Sequence, residues 1–180
     1  AKEFRLHEFD SELSDLKSGF DKVLSSSNLL NILRPSELKL LACGEEDCEI
    51  SRMKEMIEVQ VDTYNNDDLD EDSIKETFWS AMSKLTVPER MAFIKFASGN
   101  LSLPAPGLKW ESNITIDMKK ISPTATPEKK MIIAHTCHSS VDCPIYDTEE
   151  ELIKNLKISI NFSGLITDSH ENFEEIIDFL

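Results

Sequence analysis

A chain of 180 residues is long enough for one ordinary domain or two small ones, and a hydrophobic share of 40% is too high for a disordered segment. A net charge of -15 repels nucleic-acid phosphates and anionic lipid surfaces, so neither is an expected partner; a basic protein surface would be attracted. No apolar run reaches membrane-spanning length and no secretory signal opens the chain, which points to the cytoplasm or nucleus. Ala1 at the first position suggests a piece of something longer.

Residues 1–24 predict one or two helices, because Phe9, Leu13, Leu16, Phe20 and Val23 recur every three or four residues and form an apolar stripe. The polar run Ser25-Ser26-Ser27-Asn28 ends it. A second helix opens at Arg34-Pro35-Ser36-Glu37, since proline fits a first turn whose N–H groups lack partners anyway, and Gly44 is placed to stop it. Two acidic runs follow, Glu45-Glu46-Asp47 and residues 65–72. The second is the best linker candidate, and Met53, Met56, Ile57 and Val59 between them suggest a short helix.

Ser73-Ile74-Lys75-Glu76 has the order of a capping box, and Ile74, Phe78, Met82 and Leu85 then share one helical face. Thr86-Val87-Pro88-Glu89 repeats the device and starts a helix that runs to Gly99. Beyond Asn100 the pattern changes. Leu101 to Leu108 reads as an extended connector, Ile114 to Met118 alternates as a strand, and residues 122–127 form a loop. Met131-Ile132-Ile133 predicts a second strand, and Thr148 to Glu151 caps a helix through Leu156. Lys157 to Phe162 either extends that helix or bends into a strand, and residues 171–180 suggest a last short helix. The whole predicts an α+β fold.

The chemistry concentrates after the second strand, in Ala134-His135-Thr136-Cys137-His138, followed by Asp142, Pro144 and Tyr146. A strand running out into a loop would carry the Cys137 thiol at its open end, within reach of a large partner. Along an extended strand His135 and Cys137 would share a face. His135 is then either a stabiliser of the thiolate or a hydrogen-bonded structural residue, and Thr136 holds the loop through its hydroxyl. Cys143 fits a small buried hydrophobe. Cys43, Cys48, Cys137 and Cys143 match no common zinc spacing, so neither a metal nor a cofactor is expected.

Ala-His-Thr-Cys followed by Asp-x-Pro-x-Tyr resembles the active-site loop of HECT-type ubiquitin ligases. Further markers stand in that family's order: Gly19-Phe20, Arg34-Pro35 with Glu37-Leu38, Cys43-Gly44, Thr63-Tyr64, Phe78-Trp79, Glu89-Arg90, Phe93 to Gly99, and Leu103-Pro104 with Gly107. Three departures mark a divergent member. His138 stands where the family usually has phenylalanine, Met131-Ile132 where it has Leu-Pro, and Ser102 where an arginine is common. A late phenylalanine used in ubiquitin handling has three candidates here, Phe162, Phe173 and Phe179.

The resemblance implies a helical remnant of the family's N-lobe over 1–60 and the catalytic C-lobe over 61–180, the boundary lying within 45–72. It implies that Cys137 accepts ubiquitin as a thioester and passes it to a substrate lysine, with His135, Thr136 and Asp142 as the other site residues. Asp142 would bind or deprotonate the incoming amine, or brace the loop. The partners implied are ubiquitin, a ubiquitin-conjugating enzyme and a protein substrate. The subdomain that grips the conjugating enzyme precedes the part resembled here, so this stretch alone should load poorly. The competing expectation is a HECT-like module that has lost activity and only binds ubiquitin or a scaffold.

Overall fold

A computed structural model describes residues 9–24, 32–45, 47–63, 69–122, 124–125 and 130–162. The chain divides into two compact units, Ala1–Cys43 and Gly44–Leu180. The first contains α1 (Asp10–Leu24) and α2 (Pro35–Cys43). The predicted stripe of α1 forms, and Phe9, Leu13, Leu16, Phe20 and Val23 are all exposed. At the start of α2 the Glu37 carboxylate accepts from the Arg34 backbone N–H and from its guanidinium, each at 2.8 Å.

The second unit is α+β, as the sequence predicts. Its elements are α3 (Ile50–Met56), β1 (Ile57–Val61), α4 (Glu71–Lys84), α5 (Val87–Ser98), β2 (Ile114–Lys119), β3 (Ile133–His135), β4 (Ser140–Pro144) and α6 (Glu149–Phe162). The strands form one sheet in the order β1-β2-β4-β3. The β1-β2 and β2-β4 pairs are parallel and the β3-β4 pair is antiparallel.

Side chains alternate across a strand, so the sheet has two unlike faces. Ile57 and Val59 of β1, Ile114, Ile116 and Met118 of β2, and Val141 and Cys143 of β4 are buried in one core with helix residues. Phe78 of α4 and Phe93 of α5 meet there edge to face, with centroids 6.4 Å apart. Truncating either to alanine would cost about 3–5 kcal/mol. The intervening positions, Glu58, Gln60, Thr115, Asp117, Lys119 and Asp142, are left on the other face, none of them buried.

Several local predictions are met. Thr86 and Glu89 form the reciprocal capping box of α5, and Gly99 ends that helix in the left-handed region. The Thr148 hydroxyl accepts from Glu151 N at 3.2 Å, and α6 continues unbroken through Phe162. Gly44 follows α2 with φ +79, and a Cβ there would lie 2.1 Å from the Leu103 carbonyl oxygen. That close approach lets Glu45 N donate to the same oxygen at 2.8 Å, which ties the Leu101–Leu108 connector down. Arg52 reinforces it with bonds to the Pro104, Ala105 and Leu108 carbonyls.

Other elements differ. The short apolar run around Met56 is a helix only to Met56. Ile57, Val59 and Val61 then alternate as β1 and place residues 57–61 in the sheet, although the sequence groups 44–60 with the helical part. The cap of α4 is Asp70, whose carboxylate accepts from Ser73 N; Ser73 itself already lies inside the helix. Tyr64, Phe173 and Phe179 and the helix predicted for 171–180 lie outside the described residues, and the side chain of Phe162 is not described.

Candidate active site

The predicted strand at Met131–Ile133 is shifted forward to Ile133–His135, and the stretch after Cys137 is not loop but the central strand β4. Cys137 therefore sits at the tip of a β-hairpin. His135 is the last residue paired on β3, opposite Ser140 on β4, and Thr136 to Ser139 connect them. Thr136–His138 form one short turn of 3-10 helix. Ser139 closes it at φ 49 and ψ 44, the one positive φ among described residues other than glycine. A left-handed serine costs energy and is held by its surroundings. Here Ser139 N donates to Thr136 O at 3.3 Å, and Ser139 O accepts from Thr115 N of β2 at 2.9 Å.

The turn corrects two expectations. Because the chain leaves the extended conformation after His135, Cys137 does not follow it along one strand face. Among the described residues, the bond Thr136 gives the turn comes from its carbonyl, not its hydroxyl. Cys137 is exposed and Cys143 is buried, as the pattern predicts. Burial pushes the Cys143 thiol up to about 12 and the Cys48 thiol up to about 11, so neither is a nucleophile near neutral pH.

The hairpin is anchored from behind. α5 packs against β3, the Cys137 turn and β4. From α6, the buried Ser159 hydroxyl donates to Ile132 O at 3.2 Å. The Tyr146 hydroxyl donates to Lys130 O at 2.7 Å, and burial raises its pKa. Pro144 and Tyr146 thus lie at the passage from β4 into α6, and Tyr146 braces the chain that enters β3.

On the open face the structure brings His135 and Asp142 together. Asp142 Oδ2 is 2.9 Å from His135 Nε2, and Asp142 Oδ1 is 2.9 Å from Lys119 Nζ. The Lys119 ammonium first, and the His135 ring second, hold the Asp142 carboxyl below its usual range against its partial burial. Asp142 is therefore ionised near neutral pH, and its Oδ2 can accept from His135 Nε2–H. Lys119 is raised in turn by Asp142. Among the described residues, no group of three His, Cys, Asp or Glu is placed to hold a metal ion.

The sequence pattern did not single out Lys119. Its place beside Asp142 depends on the parallel register of β2 and β4, which aligns Asp117 with Asp142 and sets Lys119 one step diagonally along.

An exposed thiol at the tip of a hairpin whose two strands carry a histidine–carboxylate pair suits acyl transfer between large partners. The family model for the HECT-domain (ubiquitin-transferase) matches residues 1–165. The chain belongs to the HECT-domain family. Among its HECT relatives, the E3 ubiquitin-protein ligase HERC2 of Mus musculus is 26% identical over 170 residues, 93% of this chain and 3% of that protein. The E3 ubiquitin-protein ligase NEDD4 of Homo sapiens is 26% identical over 157 residues, 86% of this chain and 11% of that protein. The probable E3 ubiquitin-protein ligase HECTD2 of Homo sapiens is 29% identical over 145 residues, 81% of this chain and 17% of that protein. The chain spans less than a fifth of the length of these HECT proteins.

Proposed function

We propose that this protein is a HECT-type E3 ubiquitin ligase that carries ubiquitin on Cys137. The Cys137 thiolate attacks the carbonyl of ubiquitin's C-terminal glycine in the conjugating enzyme's thioester, and that enzyme's thiolate leaves. An acceptor lysine amine then attacks the new thioester, Cys137 leaves as thiolate, and the amine gives up a proton as the isopeptide bond forms. The observation that carries this reading is the exposed Cys137 turn with the His135–Asp142 pair on the strands that support it. A thiol is both a good nucleophile and a good leaving group, as two successive transfers require.

Each neighbour takes a role within this proposal. Asp142 binds and orients the incoming lysine ammonium. It also fixes the His135 tautomer, so that the Nδ1 lone pair is available as a base. Thr136 sets the turn. In lobe terms, residues 1–43 are the tail of the N-lobe, and the unit from Gly44 onward, which holds β1 and the rest of the sheet, is the C-lobe. The partners are ubiquitin, a conjugating enzyme bound largely outside this stretch, and a protein substrate, meeting in the cytoplasm or nucleus.

His138, in place of the family's usual phenylalanine, favours the second reading, a HECT-like module that binds ubiquitin without transferring it. Single-turnover assays on the full-length protein separate the two. The ligase reading expects a loaded thioester that discharges to free lysine, with Asp142→Ala loading but discharging more slowly. Ubiquitin binding with no thioester across a broad panel of conjugating enzymes would select the inactive module.

A further inference from the structure

We infer that Lys119 is a positioning residue for the transfer step, and that it acts by holding the Asp142 carboxylate from the side opposite His135. The inference rests on the ligase reading, because only that reading gives Asp142 an incoming amine to orient.

The geometry is a clamp spanning three strands. Lys119 on β2 takes Oδ1 of Asp142 on β4, and His135 on β3 takes Oδ2, each at 2.9 Å. Neither partner is directly opposite Asp142, whose register partners are Asp117 on β2 and Ile133 on β3. Both reach it diagonally, one from each side, so the plane of the carboxylate is fixed by contacts that pull apart. A carboxylate has about four acceptor positions, so two bonds leave capacity for an incoming ammonium.

Charge makes the clamp necessary. Asp117 stands opposite Asp142, and opposed like charges on neighbouring strands are unfavourable. The field of Asp62, just beyond β1, also acts on Lys119. Lys119 is thus the cation set among Asp142, Asp117 and Asp62. Without it, repulsion between Asp117 and Asp142 would turn the Asp142 side chain or favour its protonation, and either change weakens its hold on an amine. The Lys119 stem lines a shallow recess of about 240 Å³ with Ile121, Met131 and Ile133. Methionine at this position therefore keeps the apolar contact and removes only the charge.

The test compares wild type, Lys119→Met and Lys119→Arg in the full-length protein. Discharge of the preformed ubiquitin thioester to free lysine is followed over a pH series, and carboxyl carbon resonances report the Asp142 titration midpoint. Lys119→Met should slow discharge by about tenfold, less than the roughly 10²–10⁴-fold that a placed acid or base itself contributes, because Lys119 acts only through Asp142. It should also raise the Asp142 midpoint, and Lys119→Arg should restore both. A Lys119→Met protein with wild-type discharge and an unmoved midpoint overturns the inference while leaving the ligase reading intact. Slower discharge that arginine does not rescue, with the midpoint unmoved, also overturns it. Absence of any thioester in the wild type overturns the ligase reading and this inference together.

Discussion

His135 and Asp142 meet across the hairpin, Nε2 to Oδ2 at 2.9 Å, although His135 pairs with Ser140 and Asp142 with Ile133 in the strand register. The diagonal reach places an ionisable pair on the open face, on the two strands joined by the Cys137 turn. Strand pairing fixes the two backbones, so the pair is set by the fold and not by a mobile loop.

Removing the carboxylate should separate the two chemical steps. Asp142→Ala is expected to form the Cys137 thioester and to discharge it to lysine about a hundredfold more slowly, the low end of the usual contribution of a placed acid or base. Single-turnover discharge measures this. Equal slowing of loading and discharge would mean that Asp142 only braces the turn.

The Asp142 pKa gives the discharge step a pH signature. Lys119 and then His135 lower it, so the folded carboxyl titrates below its unfolded counterpart. Its contribution to stability and to amine binding is then present above the unfolded value of about 4 and is lost as pH falls through the folded value. Discharge should show no loss from Asp142 protonation as pH falls from 7 to 5. An acid limb between pH 5 and 7 that disappears in Asp142→Asn would contradict this assignment.

Thiol accessibility should split the cysteines into two classes. Cys43 and Cys137 are exposed, while Cys48 and Cys143 are buried with thiols pushed up to about 11 and about 12. Maleimide labelling of the folded protein, read by peptide mass spectrometry, should modify Cys137 and Cys43 well before the other two. Labelling of Cys143 as fast as Cys137 would place the hairpin differently.

Gly44→Ala tests the tie between the start of the second unit and the connector. The residue needs φ +79 and has the Leu103 carbonyl 2.1 Å from where a Cβ would stand. A left-handed non-glycine residue alone costs about 1–3 kcal/mol, and the clash adds to it. Thermal or urea melting should show a loss of at least about 2 kcal/mol. A melting curve equal to wild type would mean that the connector moves aside freely.

Much of this was legible in the sequence where a local rule dominates. The Thr86–Glu89 capping box, the Gly99 and Gly44 stops and the β2 alternation all follow from neighbouring residues. Asp70 displaced Ser73 as the cap: both residue types can cap, and the helix begins at Glu71, ahead of Ser73. The β4 strand was hidden by Ser140 and Asp142. They read as loop residues until Val141 and Cys143 are seen to alternate with them and point into the core. For the site, the Cys137 region stood out through its resemblance to a family loop. Lys119 could not, because its link to Asp142 spans 23 positions and exists only through sheet register.

The most direct test of the account is whether ubiquitin becomes attached to Cys137 itself. The full-length protein is mixed with a panel of charged conjugating enzymes and quenched with and without a thiol reductant, and the adduct site is mapped by mass spectrometry. Wild type should give an adduct on Cys137 that the reductant removes. Cys137→Ala should give none, and Cys137→Ser a slower-forming, reductant-resistant ester. No thiol-sensitive adduct with any conjugating enzyme, or an adduct that survives unchanged in Cys137→Ala, would contradict Cys137 as the carrier of ubiquitin.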